Sequence, residues 1–327
     1  MICLPEQNIL KDIRLKNLSD IFQVLRKSGP CSLAQLTEQT DGGLTTVKKC
    51  VMQAMEFGMV LEGDTADSTG GRKAKLYELN HDYQYFLFII VDNNDLICKI
   101  CDFGFHIKKE FTRSFILHHL LDSVYGLIDD ALAEYEISTV CLALPCVLHD
   151  GIVMDWYYNP SVVGLNIKKE IEQKYDINVI VQNDMKLTAI GECACAGKNI
   201  VNIATVQFGH NGIGVGETVN GELLTGSAGF AGEVGYTEDI RKSIMGISFP
   251  AKIVRNIIIY LNPQLIVFYR SQRQNQFEKI FDTAVRKLPK YALPEFKVSD
   301  EYSESIVRGF ISLINKNGYF IKPGVKI

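Results

Sequence analysis

From Tyr83 to the C-terminus, runs with the two-residue period of strands alternate with runs of helical spacing, in two successive sets. The first set reads YFLFIIV, LICKICDF and IKKEFTRSF as a three-stranded meander, then a helix over 121–135, strand TVCLALP, a helix over 167–175, strand NVIVQ and a helix over 185–196. The second reads NIATVQF, a Gly-rich hairpin, a helix over 251–261, strand QLIVF, a helix over 274–288, strand EFKVS and a last helix from Ser303. Alternation of this kind predicts an α/β fold, in which helices cover the faces of a largely parallel sheet. Two sets imply two lobes with a cleft between them.

The first eighty residues follow a different pattern. Ile13, Leu18, Ile21, Phe22 and Leu25 recur at helical spacing and predict a helix over 11–27, ended by Gly29-Pro30. Ser32, with Gln35 three residues on, has the capping-box arrangement for a second helix, which DGGL ends. A third helix is expected over 45–57, with Val47, Val51, Met55 and Phe57 facing inward and Thr46, Lys48, Lys49 and Gln53 facing out. Two short strands, MVLEGD and LYELN, then flank TADSTGGRKAK, whose glycines and basic residues suit close approach to a phosphate backbone. Read together, these elements form a winged helix-turn-helix, with Ser32, Thr45, Thr46, Lys48, Lys49, Gln53, Arg72 and Lys73 as the expected DNA contacts. A three-helix protein-interaction module is the alternative.

Composition limits the remaining classes. Hydrophobic content of 47% with 22% charge describes a globular protein. The longest apolar run, 85–91, falls far short of the roughly 20 residues that span a bilayer. The opening MICLPEQNILKD has no basic region followed by an apolar stretch, so a cytoplasmic protein with no membrane role is expected. Nine cysteines, an odd number, fit reduced thiols. Cys98 and Cys101 form the one CxxC, but on a strand they point to opposite faces, and Cys193 and Cys195 have no second Cys/His pair at zinc spacing. The net charge of −4 excludes a globally basic nucleic-acid binder and leaves room only for a local patch.

Five segments carry a resemblance. STGGRKAKLYELN, PCVLHDGIVMDWYYNPSVVGLN, VIVQNDMKLTAIGE, FGHNGIGVGETVNGELLTGSAGFAGEVGY and YLNPQLIVF stand in the order seen in the ROK family of repressors, open reading frames and sugar kinases, which the chain resembles over nearly its whole length. The resemblance implies a winged helix over 1–80 and a two-lobed, actin-like, hexokinase-type (ribonuclease H-like) domain over 81–327. Lobe one would cover about 81–182 plus 303–316, and lobe two about 183–302. It also implies sugar contacts from Asn159, Asn183, Asp184 and Glu233, with Asp184 the general base in members that are kinases. Asn183 and Asp184 equally suit a helix N-terminus.

The departures from the family pattern carry as much information. Nucleotide-binding members have a Gly-rich loop after the first strand, where this chain has Asp92-Asn93-Asn94-Asp95; side chains and an added negative charge there oppose phosphate. The second phosphate turn contains His210 and Asn211, and Phe268-Tyr269-Arg270-Ser271 stands where glycines are usual. The family's zinc histidine is replaced by Tyr236, with no cysteine cluster downstream. The expectation is therefore a non-enzymatic, sugar-responsive repressor of carbohydrate metabolism, without cofactor or metal, that binds operator DNA as a homodimer or tetramer. The alternatives are an ATP-dependent sugar kinase with Asp184 as base, and a ligand-independent regulator that uses the domain as a dimerisation scaffold.

Overall fold

The computed structural model describes residues 6–65, 74–197, 199–209, 212–237, 246–270 and 276–324. The N-terminal part consists of α1 (Glu6–Ser28), β1 (Cys31–Ser32), α2 (Leu33–Gln39), α3 (Leu44–Glu56), β2 (Val60–Thr65) and β3 (Lys75–Leu79). Its strands form an antiparallel sheet in the order β1-β3-β2. The capping box is formed: Ser32 N–H donates to Gln35 Oε1 at 2.8 Å, and Gln35 N–H donates to Ser32 Oγ at 3.3 Å. Thus one of the expected DNA contacts starts α2 with its own side chain. Phe22, Leu36 and Val51 are fully buried and hold the three helices together. Arg72 and Lys73 of the expected hairpin tip lie outside the described residues.

The rest of the chain builds two five-stranded sheets with the same internal order. In the first, β4 (Tyr85–Asp92), β5 (Asp95–Cys101) and β6 (Ile107–Ser114) form the antiparallel meander. After α4 (Leu120–Glu134), β7 (Ile137–Leu144) returns parallel to β4. The small hairpin β8 (Val147–His149) and β9 (Ile152–Asp155) and the helix α5 (Ile167–Tyr175) lead to β10 (Asn178–Asn183), which extends the sheet to β10-β7-β4-β5-β6. α6 (Asp184–Cys195) then crosses to the second sheet. There β11 (Ile203–Gly209), β12 (Gly212–Val219) and β13 (Glu222–Leu223) precede α7 (Ser248–Leu261), β14 (Leu265–Tyr269), α8 (Phe277–Val285) and β15 (Glu295–Ser299). The order β13-β12-β11-β14-β15 repeats the first sheet, with an antiparallel meander followed by two parallel strands. α9 (Tyr302–Asn317) comes last.

Strand alternation decides the layers. In β4, Leu87, Ile89 and Val91 pack beneath α4 and α5, while Phe86, Phe88 and Ile90 face α9. In the second sheet Ile266 and Phe268 face α7 and α8, while Leu265, Val267 and Tyr269 face the other way, with Met185 of α6. α6 and α9 therefore form the middle layer between the two sheets. Cys98 and Cys101 fall on opposite faces of the first sheet and are both buried. The apolar core does not stop at residue 80. The Phe22 ring of α1 meets Phe103 edge-on at 5.4 Å and Phe320 at 5.3 Å, so the N-terminal helices share a core with the first sheet and α9.

The two central helices touch backbone to backbone. A Cβ at Gly191 would lie 2.0 Å from the Ser305 carbonyl oxygen, and one at Gly309 would lie 2.2 Å from that of Leu187. Helix propensity alone would make Gly→Ala at either site stabilising by about 1 kcal/mol. We predict the opposite sign: Gly191→Ala and Gly309→Ala should each lower the urea-unfolding free energy by about 1–3 kcal/mol, because neither backbone oxygen can move without displacing a helix.

Candidate functional site

A cleft of about 350 Å³ opens at the C-terminal ends of β4, β7, β10, β11 and β14, within the size range of small-molecule sites. Asn183 and Asp184 lie at its floor, where β10 runs into α6. Asn183 N-caps α6, its Oδ1 accepting from Lys186 N–H at 2.9 Å while its Nδ2 donates to the Cys146 carbonyl at 3.1 Å. Asp184 is engaged at both oxygens: Oδ1 accepts from Met185 N–H at 2.7 Å, and Oδ2 accepts from the Tyr302 hydroxyl at 2.6 Å. Burial raises its carboxyl to about 6, despite these hydrogen bonds.

Glu233 stands on the opposite wall, partly exposed, with its carboxyl raised by burial to about 7. Lys186 runs beneath it. This lysine is almost wholly buried, donates to the Gly229 carbonyl, and lies 3.9 Å from Glu233 Oε1; burial lowers its ammonium. Glu217, also buried and raised to about 7, belongs to the same charge group. Asn159 is not brought to the cleft. It is fully buried, donates from Nδ2 to the Leu117 carbonyl at 2.8 Å and accepts from Ser161 Oγ at 2.6 Å, so both ends of its amide are spent on loop packing. Of the four expected ligand contacts, the cleft therefore gathers Asn183, Asp184 and Glu233.

The side of the cleft where the family resemblance places phosphate is lined by Asp92 and Asn93. These residues begin a tight β4–β5 turn with Asn93 at φ +55°, and burial raises the Asp92 carboxyl. Arg270 adds one cation to the rim, but its Nε pairs with Asp300 at 2.8 Å. His210, Asn211 and Ser271 lie outside the described residues; Tyr236 is exposed, with its ring 4.9 Å from that of Phe230. The glycines of 208–236 serve close packing. A Cβ at Gly216 would lie 1.8 Å from the Met185 carbonyl oxygen, and one at Gly229, whose φ is +73°, 1.9 Å from that of Leu148.

The N-terminal part presents a second surface. Thr45, Lys48, Lys49 and Gln53 share one face of α3 and, with Arg14 of α1 and Met52, line an open groove. Val47, Cys50, Val51 and Ala54 are buried behind them. Thr46 is exposed but turns toward Asn17 and Asp20, away from that row. Sequence reasoning missed Arg14, which helical periodicity alone assigns to an exposed face of α1 without showing what lies beside it. It also missed Tyr302 and Lys186. A lysine on the first turn of a helix with apolar surroundings was a visible signal for Lys186; no local signal marks Tyr302, which meets Asp184 only through the fold.

The comparisons agree with this architecture. The ROK family model matches residues 102–248. The xylose repressor of Bacillus subtilis (strain 168) is 27% identical over 252 residues, covering 71% of this chain and 62% of that protein. The DNA-binding transcriptional dual regulator NagC of Escherichia coli (strain K12) is 23% identical over 241 residues, covering 69% of this chain and 58% of that protein. This chain thus spans about six-tenths of the length of these curated relatives. Among solved structures, a ROK family transcriptional regulator described as a homolog of the E. coli MLC protein superposes with a TM-score of 0.74 at 15% identity, covering 94% of this chain and 98% of the other. A ROK family glucokinase from Streptomyces griseus, in complex with glucose and AMPPNP, gives 0.54 at 12% identity, covering 70% and 98%. At these identities the structural likeness speaks for the mixed α/β fold.

The raised carboxyls carry a pH dependence of definite sign. Asp184, Glu217 and Glu233 hold protons more tightly folded than unfolded, so their contribution is complete at low pH and is lost as pH rises through about 6 to 7. Glu192, which Lys297, Ser305 and Tyr269 together draw down despite burial, acts in the opposite sense, and only below the ordinary glutamate range. We predict that Asp184→Asn flattens the fall in stability between about pH 5 and pH 8, adding roughly 1–3 kcal/mol at the upper end, read from urea melts at both values. The cleft, its two repeated sheets and the match over residues 102–248 make this chain similar to the ROK family.

Proposed function

We propose that the chain is a DNA-binding transcriptional regulator, most simply a repressor of carbohydrate metabolism, whose cleft senses a sugar or sugar derivative and performs no phosphoryl transfer. The observation that carries the DNA reading is the row Thr45, Lys48, Lys49 and Gln53 on the outer face of α3, with Arg14 beside it and the β2–β3 hairpin following. In this reading residues 1–80 are a winged helix-turn-helix, α3 enters the major groove and the hairpin, with Arg72 and Lys73 at its tip, lies along the adjacent backbone. Ser32 then acts chiefly as the cap of α2, and Thr46 supports the turn before α3. The relatives named as xylose repressor and as NagC support the same reading. Two copies would pair about a two-fold axis to meet two half-sites.

Residues 81–327 would form the effector domain. Glu233 is its most accessible acceptor for a sugar hydroxyl, with Asp184 at the floor. A ligand held by both would favour one setting of the sheets flanking α6 and α9, and could shift DNA affinity only by its preference for that setting. The kinase alternative needs Asp184 free to accept a proton from a hydroxyl, yet Tyr302 occupies Oδ2 and the Met185 N–H occupies Oδ1. Asp92 further opposes phosphate at the mouth. A coupled assay with ATP and a hexose panel should show no turnover; turnover abolished by Asp184→Asn would overturn the non-enzymatic reading.

The DNA claim is tested by fluorescence anisotropy on a duplex selected from a random pool. Lys48→Ala with Lys49→Ala should weaken binding at least about tenfold and reduce the log K against log salt slope by nearly 2, since each lost phosphate contact removes about 0.9. Unchanged affinity and slope would exclude α3 as the reading helix. A sugar that occupies the cleft should raise the melting temperature of the wild-type chain and not of Glu233→Ala. No response to any sugar would favour the ligand-independent scaffold.

A further inference from the structure

A second group of ligating side chains lies far from the cleft, where the N-terminal part joins the first sheet. His81 opens the short turn after β3, and Asp102 and His106 bracket the turn that links β5 to β6. His81 Nδ1 lies 3.5 Å from Asp102 Oδ2, and His106 Nδ1 lies 3.3 Å from the same oxygen. All three ligating atoms fall within 4.8 Å of one another. Asp102 is buried, while both imidazoles reach solvent. The arrangement is fixed by backbone: His106 N–H donates to Asp102 Oδ1 at 3.0 Å, Asp102 N–H to the His106 carbonyl at 3.1 Å, and Phe103 N–H to the His81 carbonyl at 3.1 Å. The two rings close over Gly104, where a Cβ would lie 2.5 Å from His81 Nδ1 and 2.9 Å from His106 Cε1.

We propose that His81, Asp102 and His106 form a divalent transition-metal site, with zinc the best match, that fastens the short turn after β3 to the β5–β6 turn. The His106 Nδ1···Asp102 Oδ2 contact is a long hydrogen bond at 3.3 Å, and both separations exceed the about 2.7–2.9 Å typical of charge-assisted N–H···O⁻ bonds. Tetrahedral zinc, with bonds of about 2.0–2.2 Å to nitrogen and carboxylate oxygen, sets its ligands about 3.3–3.5 Å apart, which both separations match. Two imidazoles and a carboxylate leave the fourth position to water. The same ligand types admit nickel and copper, so the site is defined by class rather than by one ion.

The position gives the site a consequence. Arg26 of α1 donates from Nε to the Phe103 carbonyl at 3.3 Å, and its guanidinium lies 4.2 Å from the centre of the Phe105 ring. The turn that supplies two of the three ligands is thus also the seat of α1. Metal bound there would hold the three N-terminal helices against the first sheet. Sequence spacing hides the group, since His81 is distant from Asp102 in the chain and the segment matches no contiguous ligand motif.

The test uses the full chain freed of metal by chelation. Isothermal titration with Zn²⁺ should show one equivalent bound, weakened at least about 100-fold in His81→Ala/His106→Ala, given that even outer-shell changes cost 10–100-fold at such sites. Co²⁺ should give a tetrahedral visible spectrum without thiolate charge-transfer absorption, and Zn²⁺ should raise the melting temperature of wild type but not of the double variant. Both histidines are solvent-exposed, so the variant should melt with the metal-free wild type; His106→Gln is a second variant that retains polarity at that position. Undiminished zinc affinity in the double variant, a thiolate band with Co²⁺, or no stoichiometric binding would overturn the proposal.

Discussion

α6 and α9 meet where neither helix has a side chain, so the backbone of each lies directly against the other at Gly191 and Gly309. The floor of the cleft hangs from that contact. α6 carries Asn183 at its cap, Asp184 and Lys186 in its first turn and Glu192 near its end; α9 delivers Tyr302 to Asp184 and Ser305 to Glu192. Glu192 is nearly inaccessible and draws together four side chains from three elements: the Tyr269 hydroxyl of β14, Lys297 of β15, and Ser305 and Arg308 of α9. A buried carboxylate is costly unless its partners meet it with good geometry, and removing one partner leaves that cost uncompensated. The pair of helices therefore fixes how the two sheets stand relative to each other.

This frame gives the glycines that crowd 208–236 a packing role. β12 runs across the N-terminus of α6 so closely that Gly214 and Gly216 leave no room for a Cβ against Met185. The chain retains the geometry that encloses a small molecule. At the β4–β5 turn it presents carboxylate and amide side chains, and at the floor a carboxyl already hydrogen-bonded to a tyrosine. In the proposed reading, charge and hydrogen-bond occupancy, rather than shape, would separate sensing from catalysis.

The elements themselves were legible in the sequence, because strand and helix periods are local. The meander 85–114, the α5–β10–α6 unit and the capping box at Ser32 all form where spacing places them. The continuity of the core past residue 80 was not legible, because Phe22 finds Phe103 and Phe320 only after the fold is complete. Nor was the fate of Asn159, whose amide is consumed by Leu117 and Ser161. Tyr302 on Asp184, Lys186 beneath Glu233 and His81 beside Asp102 join residues far apart in the chain, and no period in the sequence encodes them.

The central claim is that ligand in the cleft and DNA on α3 are coupled through this frame, and coupling free energies must be reciprocal. The most direct measurement is the affinity of the full chain for a selected duplex with and without a sugar shown to bind Glu233. The account predicts a change of about 5–150-fold in DNA affinity, the same factor in sugar affinity when DNA is added, and loss of both changes in Asp184→Ala/Glu233→Ala with DNA binding itself retained. A sugar that fills the cleft of the wild-type chain while DNA affinity stays the same would contradict it.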